Sequence, residues 1–392
     1  MNSRIQLYPD CLRRIFEYIV DSSEYLHITH KNLYSCILVN KLFFQNAIPI
    51  LWRNPWNPNS NKSKNNYNKK LSIARTILSC LLQYHREQQQ DKNLTDIFGL
   101  ISFENPMKDP IFDYVSYCRH INCLDIENVT RMLIENKREL NVIFDKKHEE
   151  NIVGNEMNQS INKNFIGLAN ICHNLTKIRI NPLDKDDRGL ATLIKAQNNL
   201  EEIHLFTNQH VENLRFINQA LSTKSNSLEI LSFKGNFYFS SQNSFLSSLH
   251  NLKQLHIKFA TYSNINCLLN LTVLPNAEYL NSIEFDFLKV QNDENYDYNM
   301  ERELQTKSLL DALIAWSSIN LNYLYLSNLW WLLPHELSYF LELWKPRNIK
   351  LTLKIKDNEK EDLHPYLVVI DKFIKDDVLT VDSGKWIKEF PF

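Results

Sequence analysis

Glycine is scarce in this chain. Its six glycines are Gly99, Gly154, Gly167, Gly189, Gly235 and Gly384, and no two lie within ten residues of each other. A phosphate-cradling loop needs clustered glycines, so a P-loop and a G-x-G-x-x-G turn are both excluded. A G-x-S-x-G nucleophile elbow is excluded for the same reason. Long apolar runs are missing too. None approaches the ~18 residues needed to span a bilayer, and the opening "MNSRIQLYPD" has no apolar signal core. A dominant charge is also absent. Lys and Arg number 44 and Asp and Glu 45, a net charge of −1, so no global field points to nucleic acid or an anionic membrane. The seven cysteines are scattered and contain no C-x-x-C, which predicts reduced core thiols. The expectation is a soluble intracellular protein, cytoplasmic or nuclear. The "NLT" sequons at Asn93, Asn174 and Asn270 then have no secretory route to act through.

Catalytic spacing is lacking as well. "HEENI" at His148 begins like H-E-x-x-H but has no second histidine. "HITH", His27 to His30, could bring two imidazoles together, but no other ligand cluster lies nearby, so a loop or cap pair is expected there. The basic cluster Lys62, Lys64, Lys69, Lys70 and Arg75 has only Tyr67 interleaved and reads as a solvated segment. The expectation is a non-enzyme with no catalytic residue, cofactor or metal.

What the chain does have is apolar periodicity. It is 44% hydrophobic and 11% aromatic, enough for a sizeable core, and its 392 residues predict roughly two or three domains. In "YPDCLRRIFEYIVDSS" from Tyr8, the residues Leu12, Ile15, Phe16 and Ile19 fall at i, i+3, i+4 and i+7 and share one helix face. Pro9 and Asp10 supply helix-start chemistry. A lone helix of about twelve residues is marginal in water, so its stripe must be buried against something. "NLYSCILVNKLFFQNAIPILWRNPW" continues with Ile37, Leu38, Val39, Leu42, Phe43 and Phe44, then Ile48, Ile50, Leu51 and Trp52. Three short apolar helices are predicted, with more apolar side chains than so small a bundle can hide. "NPNSNKSKNNYNKK" follows as a polar linker that sets the helices apart from what comes next.

The rest of the chain repeats itself. "LEEIHLFTN" starts at Leu200, "LEILSFKGN" at Leu228, "LKQLHIKFA" at Leu252, "LNSIEFDFL" at Leu280 and "LNYLYLSNL" at Leu321. Each reads L-x-x-L-x-L with Ile or Phe allowed, at intervals of 28, 24, 28 and 41 residues. The widest interval contains the polar insertion "VQNDENYDYNMERE". Earlier copies are "INCLDIENV" from Ile121 and "LTKIRINPL" from Leu175, 54 residues apart, with "DKKHEENIVGNEMNQ" between them. Between the strands the period becomes helical: Leu214, Ile217 and Leu221; Leu309, Leu313 and Trp316; Leu337, Phe340, Leu341 and Trp344. Strand and helix alternating at a fixed period predict a parallel sheet with helices on one side. At the end, "NIKLTLKIKD" alternates Leu351, Leu353 and Ile355 inward, and the apolar "YLVVIDKFI" should cover the last repeat.

These copies resemble leucine-rich repeats over residues 118 to 356. The ninth-position Asn of that family stands only at Asn208 and Asn236, so irregular repeats are expected. In such strands the Leu positions point into the core and the residues between them face the concave side. That set is Lys177, Arg179, Glu202, His204, Phe206, Ile230, Ser232, Lys234, Gln254, His256, Lys258, Ser282, Glu284, Asp286, Tyr323 and Tyr325. Large outward anchors such as Phe206, Tyr323 and Tyr325 point to protein recognition.

The N-terminal pattern, residues 7 to 53, resembles the F-box: Leu7, Leu12, Ile15, Phe16 and Ile19, then "ILVNKLF", then Leu51-Trp52. It departs where Pro9 comes one residue late and where Asn40 and Phe43 replace a Cys and a Trp. The two resemblances together imply a substrate receptor of a Skp–cullin–F-box ubiquitin ligase. A Skp-type adaptor, and through it a cullin, would bind Leu7, Pro9, Leu12, Ile15, Phe16, Ile19, Leu38, Val39, Leu42, Leu51 and Trp52. A target protein would bind Arg179, Glu202, His204, Phe206, Lys234, His256, Lys258, Glu284, Asp286, Tyr323 and Tyr325. The runner-up is a repeat-based scaffold whose N-terminal helices only cap the solenoid. The expected organisation is an F-box-like helical domain over 1–56, a polar linker over 57–70, a helical connector over 71–117 and the repeat domain with its cap over 118–392.

Overall fold

A computed structural model describes residues 8–21, 26–55, parts of 72–83, 113–122, 165–183, 185–208, 211–212, 214–235, 237–238, 244–259, 279–287, 310–314 apart from 312, 320–327, 333–356 and 364–381. Leu7, the linker, most of the connector, both polar insertions, Leu309 and Trp316 lie outside them. The chain forms two compact units, residues 1–179 with 188–200 and residues 180–187 with 201–392.

The first unit opens with three helices, α1 (Pro9–Asp21), α2 (Leu26–Ile37) and α3 (Lys41–Leu51). Pro9 is the first residue of α1 and Asp10 lies in its first turn, as helix-start chemistry requires. Asn40, one of the two departures from the F-box pattern, caps α3: its side-chain oxygen accepts the Phe43 N–H at 2.9 Å. Leu12, Phe16, Leu33, Ala47 and Ile50 form the helical core, with Ile19, Val20, Cys36, Ile37, Phe43 and Leu51 packed around it. His27 and His30 sit within α2, where a loop or cap was expected.

Beyond α3 the chain does not leave the helices behind. Trp52 packs its ring against Tyr114, with centroids 4.8 Å apart. The Arg53 carbonyl accepts the N–H groups of Arg119 and His120, at the start of β1 (His120–Asn122). Strand β1 pairs in parallel with β2 (Lys177–Ile180), Ile121 opposite Ile178. This register corrects the frame of the first copy. The repeat starts at Cys118, fully buried like Leu175, and Ile121 is its fourth position. "CRHINC" and "INCLDI" both carry apolar residues at positions one, four and six, so the letters could not choose between them. The helix α4 (Arg188–Ala196) buries Leu190, Leu193 and Ile194. Just beyond it, buried Gln197 accepts the Leu175 N–H and donates to the carbonyls of Cys172 and Leu193, each at 2.8–2.9 Å.

Among the described residues of the second unit, seven strands follow one another in one sheet: β3 (Glu202–Phe206), β5 (Ile230–Gly235), β7 (Gln254–Phe259), β8 (Ser282–Phe287), β9 (Tyr323–Ser327), β10 (Leu351–Lys356) and β11 (Leu379–Val381). Each pairs with the next in parallel. A second, two-stranded parallel pair joins β4 (Val211–Glu212) and β6 (Phe237–Tyr238). Leu200, Leu228, Leu252, Leu280 and Leu321, which open the five close copies, are all fully buried. One backbone link recurs at these openings. The carbonyl of Glu201 accepts the N–H groups of Glu229 and Ile230, that of Glu229 those of Lys253 and Gln254, that of Lys253 those of Asn281 and Ser282, and that of Asn281 those of Asn322 and Tyr323. The same link, from Arg119 to Thr176 and Lys177 and from Arg53 to Arg119 and His120, runs through the first unit. Trp52 and Arg53 thus occupy the places of the first two residues of a repeat.

Helices α5 (Arg215–Ser222), α6 (Pro334–Trp344) and α7 (His364–Lys375) return the chain between strands. They bury Ile217 and Leu221, then Leu337, Phe340, Leu341 and Trp344, then Ile370 and Phe373. Leu310 and Leu313 are buried as well. The chain is therefore a mixed α/β protein on parallel sheet, with the strand–helix alternation compatible with a solenoid-like fold. The apolar C-terminal segment supplies α7, and β11, not foreseen in the sequence, adds one more strand. Cys80, Cys118 and Cys172 are buried free thiols; burial pushes Cys80 up to about 11, Cys172 up to about 12, and Cys118 well above the ordinary thiol range. Cys11 is exposed, outside any core. Among the described residues no helix is long and apolar enough to cross a membrane.

Candidate functional site

Two surfaces carry the predicted residues, one in each unit. On the helical unit, the α1 stripe divides. Leu12 and Phe16 are 1% and 2% exposed and hold the three-helix core together. They are thereby removed from any partner surface, a correction to the adaptor-binding set. The reason is geometric: α2 and α3 pack on the very face that the periodicity marked as apolar. Ile19 and Leu51 are half-buried against the same core, and Trp52 is half-buried on Tyr114, so these three also serve the chain itself. Pro9 and Ile15 remain exposed.

The outward surface lies at the turn from α2 to α3. The N–H of Leu38 donates to the Ser35 carbonyl and that of Val39 to the Cys36 carbonyl, closing a tight turn. The Asn40 cap then starts α3 at once. This three-residue link cannot fold its side chains back into the core. Leu38 is 74% exposed, Val39 60% and Leu42 36%. Tyr34, one turn earlier, is exposed beside them, and Tyr8 and Tyr18 are exposed on and beside α1. The three tyrosines were not foreseen. Their signal was the mixed nature of Tyr, whose apolar ring and polar tip fit both burial and surface.

The second surface is the sheet face of the second unit. Burial alternates along β3: Ile203 and Leu205 are buried, while Glu202, His204 and Phe206 are half-exposed on the other face. Register extends this into rows across the strands. One row reads Glu202, Ile230, Gln254, Ser282, Tyr323. The next reads His204, Ser232, His256, Glu284, Tyr325, and the third Phe206, Lys234, Lys258, Asp286. For Asp286 only the backbone position is described. The His204 Nε2 lies 2.5 Å from Glu202 Oε1, and the His256 Nδ1 lies 2.7 Å from Glu284 Oε2. The His256 Nε2 lies 3.3 Å from Gln254 Oε1. The Lys234 ammonium sits 4.9 Å from the centre of the Phe206 ring. These contacts join the polar side chains of the face to one another within and across the strands. Arg179 is exposed on β2, in the first unit.

Among the described residues, no group of three or more His, Cys, Asp or Glu side chains is arranged to hold a metal ion. No protein-family model matches this chain, and no curated protein matches it.

Proposed function

We propose that the chain is the substrate-recognition subunit of a Skp–cullin–F-box ubiquitin ligase. The helical unit would bind a Skp-type adaptor, and the half-exposed sheet face, with its leucine-rich-repeat pattern, would bind a target protein. The subunit would do no chemistry; it would raise the effective concentration of target near a ubiquitin-charged enzyme. The observation that carries this reading is the Leu38–Val39–Leu42 corner, three aliphatic side chains held outward by a closed turn. A small helical unit with apolar side chains left in water is stabilised by a partner that covers them, at roughly 1.5–3 kcal/mol per fully buried side chain.

The test is capture of the full chain by a purified Skp-type adaptor, wild type against Leu38→Asp/Val39→Asp. The exposed pair can be changed without entering the core, so circular dichroism should not move, while binding should drop by about two orders of magnitude. Equal binding by both forms, or none by a folded wild type, sinks the reading. Phe16→Asp cannot serve here, because it would place a charge inside the helical core.

A specific observation favours the second reading, a scaffold whose helices cap the repeats. Arg53 continues the backbone link of the strand openings onto β1, as a terminal cap would. Capping and adaptor binding use different residues, so they are compatible. Co-purification from cells separates them, since a plain scaffold would bring down no cullin.

A further inference from the structure

Charge is divided unevenly along this chain. Between Tyr25 and Arg86 there is no aspartate or glutamate. The same stretch holds six lysines, Lys31 and Lys41 among them, and three arginines, Arg53 among them. The whole chain carries −1, so this stretch is +9 and the remainder −10. Helices α2 and α3 and the turn between them lie entirely inside it. The carboxylates of the three helices therefore all belong to α1, and of these Glu17 is taken by Arg13 and Arg53. Lys41 differs from those two arginines. It is exposed, and among the described residues it takes part in no ion pair. It stands in the chain between exposed Val39 and exposed Leu42, so the aliphatic corner carries a positive charge that neither α2 nor α3 can balance.

We propose that the Leu38–Val39–Leu42 corner docks into an apolar recess with an acidic rim on the adaptor, where a carboxylate of the rim meets Lys41. The proposal rests on reading this corner as the adaptor-binding surface, and it adds the chemistry of the surface that covers it. Charge complementarity carries it. A wholly apolar recess would cover the three aliphatic side chains but strip water from Lys41 and give nothing back. A carboxylate at the rim replaces that water with a charge-assisted hydrogen bond. The +9 stretch as a whole draws an acidic surface in, and charges at the rim of an interface act chiefly on the rate of association. The same stretch repels basic surfaces, so it also decides which apolar partners are refused.

The experiment follows association of the full chain with a purified Skp-type adaptor by stopped-flow fluorescence as salt is raised. The association rate should fall about tenfold, with dissociation little changed. Lys41→Glu should slow association about fivefold and weaken its dependence on salt, and Lys41→Arg should preserve both. Lys41 is the first residue of α3, where a carboxylate favours the helix, so the Glu variant keeps its fold, as circular dichroism verifies. Lys185→Glu makes the same charge change at an exposed site of the second unit and should leave the rate within about twofold. A rate indifferent to salt, or an equal response to Lys41→Glu and Lys185→Glu, overturns the acidic rim and leaves the adaptor reading standing. Absence of adaptor binding by the folded wild type overturns both. Capture by phosphatidylserine vesicles in place of the adaptor, lost in Leu38→Asp/Val39→Asp, also overturns both and assigns the corner to an anionic lipid surface.

Discussion

The backbones of Arg53 and Arg119 are joined directly: the Arg53 carbonyl accepts the Arg119 N–H at 2.9 Å and that of His120 at 3.1 Å. The polar linker therefore does not hold the helices apart from the first strand. Trp52 should matter to both. Trp52→Ala removes the ring contact with Tyr114 and should cost about 2 kcal/mol, read by urea denaturation. Amide exchange at Ile121 and Asn122 should speed up in the same variant. Unchanged exchange there would show that the helices do not support β1.

Arg53 also binds in the other direction, its guanidinium 2.5 Å from the Glu17 carboxylate on α1. That contact, chiefly its hydrogen bond, holds Glu17 below its ordinary value. A depressed carboxyl stabilises the fold above its unfolded value and loses that contribution as pH falls through the folded one. The loss should begin as pH falls into the ordinary glutamate range and be complete only below the lowered folded value. The pair is partly exposed, so its worth is under about 1 kcal/mol. Glu17→Gln should lower stability at neutral pH by under about 1 kcal/mol, leave it little changed in strong acid, and so flatten the acid limb of the stability–pH curve. An acid limb as steep as that of the wild type would assign the effect to other carboxylates.

Gly235 lies at φ +117°, where an added Cβ would run into the carbonyl oxygen of Thr207. The bend it permits lets Phe237 turn back onto Phe233, with ring centroids 5.3 Å apart. Gly235→Ala should destabilise the second unit by about 2 kcal/mol or more, from backbone strain and displacement of β6. Thermal unfolding measures it, and a wild-type midpoint would refute the close approach.

Gln197 satisfies three buried backbone groups, at Leu175, Cys172 and Leu193. Gln197→Leu keeps much of the volume and leaves those groups without their partner, at about 2–4 kcal/mol. Gln197→Ala adds a cavity and should be worse. If the Leu variant is as stable as wild type in guanidinium, the network contributes nothing net.

Ending the chain after Asp357 removes α7 and β11. Phe373 and Leu379 are fully buried there, and the Leu351 N–H donates to the Val378 carbonyl. The shortened chain should expose β10 along its edge and aggregate on expression. A soluble product that unfolds cooperatively would show that the last strands are dispensable.

The sequence alone determined the elements whose pattern is local. L-x-x-L-x-L at Leu228, Leu252 and Leu280 became adjacent parallel strands, and the stripe Leu337, Phe340, Leu341, Trp344 became one buried helix face, because periods of 2 and 3.6 decide which side chains share a side. The rows of the sheet face followed from the same alternation, which is why Glu202, His204 and Phe206 were placed correctly from letters. Tertiary structure decided everything that depends on which neighbour arrives. Leu12, Phe16 and Leu38 are equally apolar in sequence, yet α2 and α3 cover the first two while a closed turn turns the third outward. The frame at Cys118, the backbone link from Arg53 to β1, the buried network of Gln197 and the meeting of Lys234 with Phe206 are long-range contacts. An apolar or charged letter records what a side chain seeks, but the partner that supplies it is set by packing among distant segments.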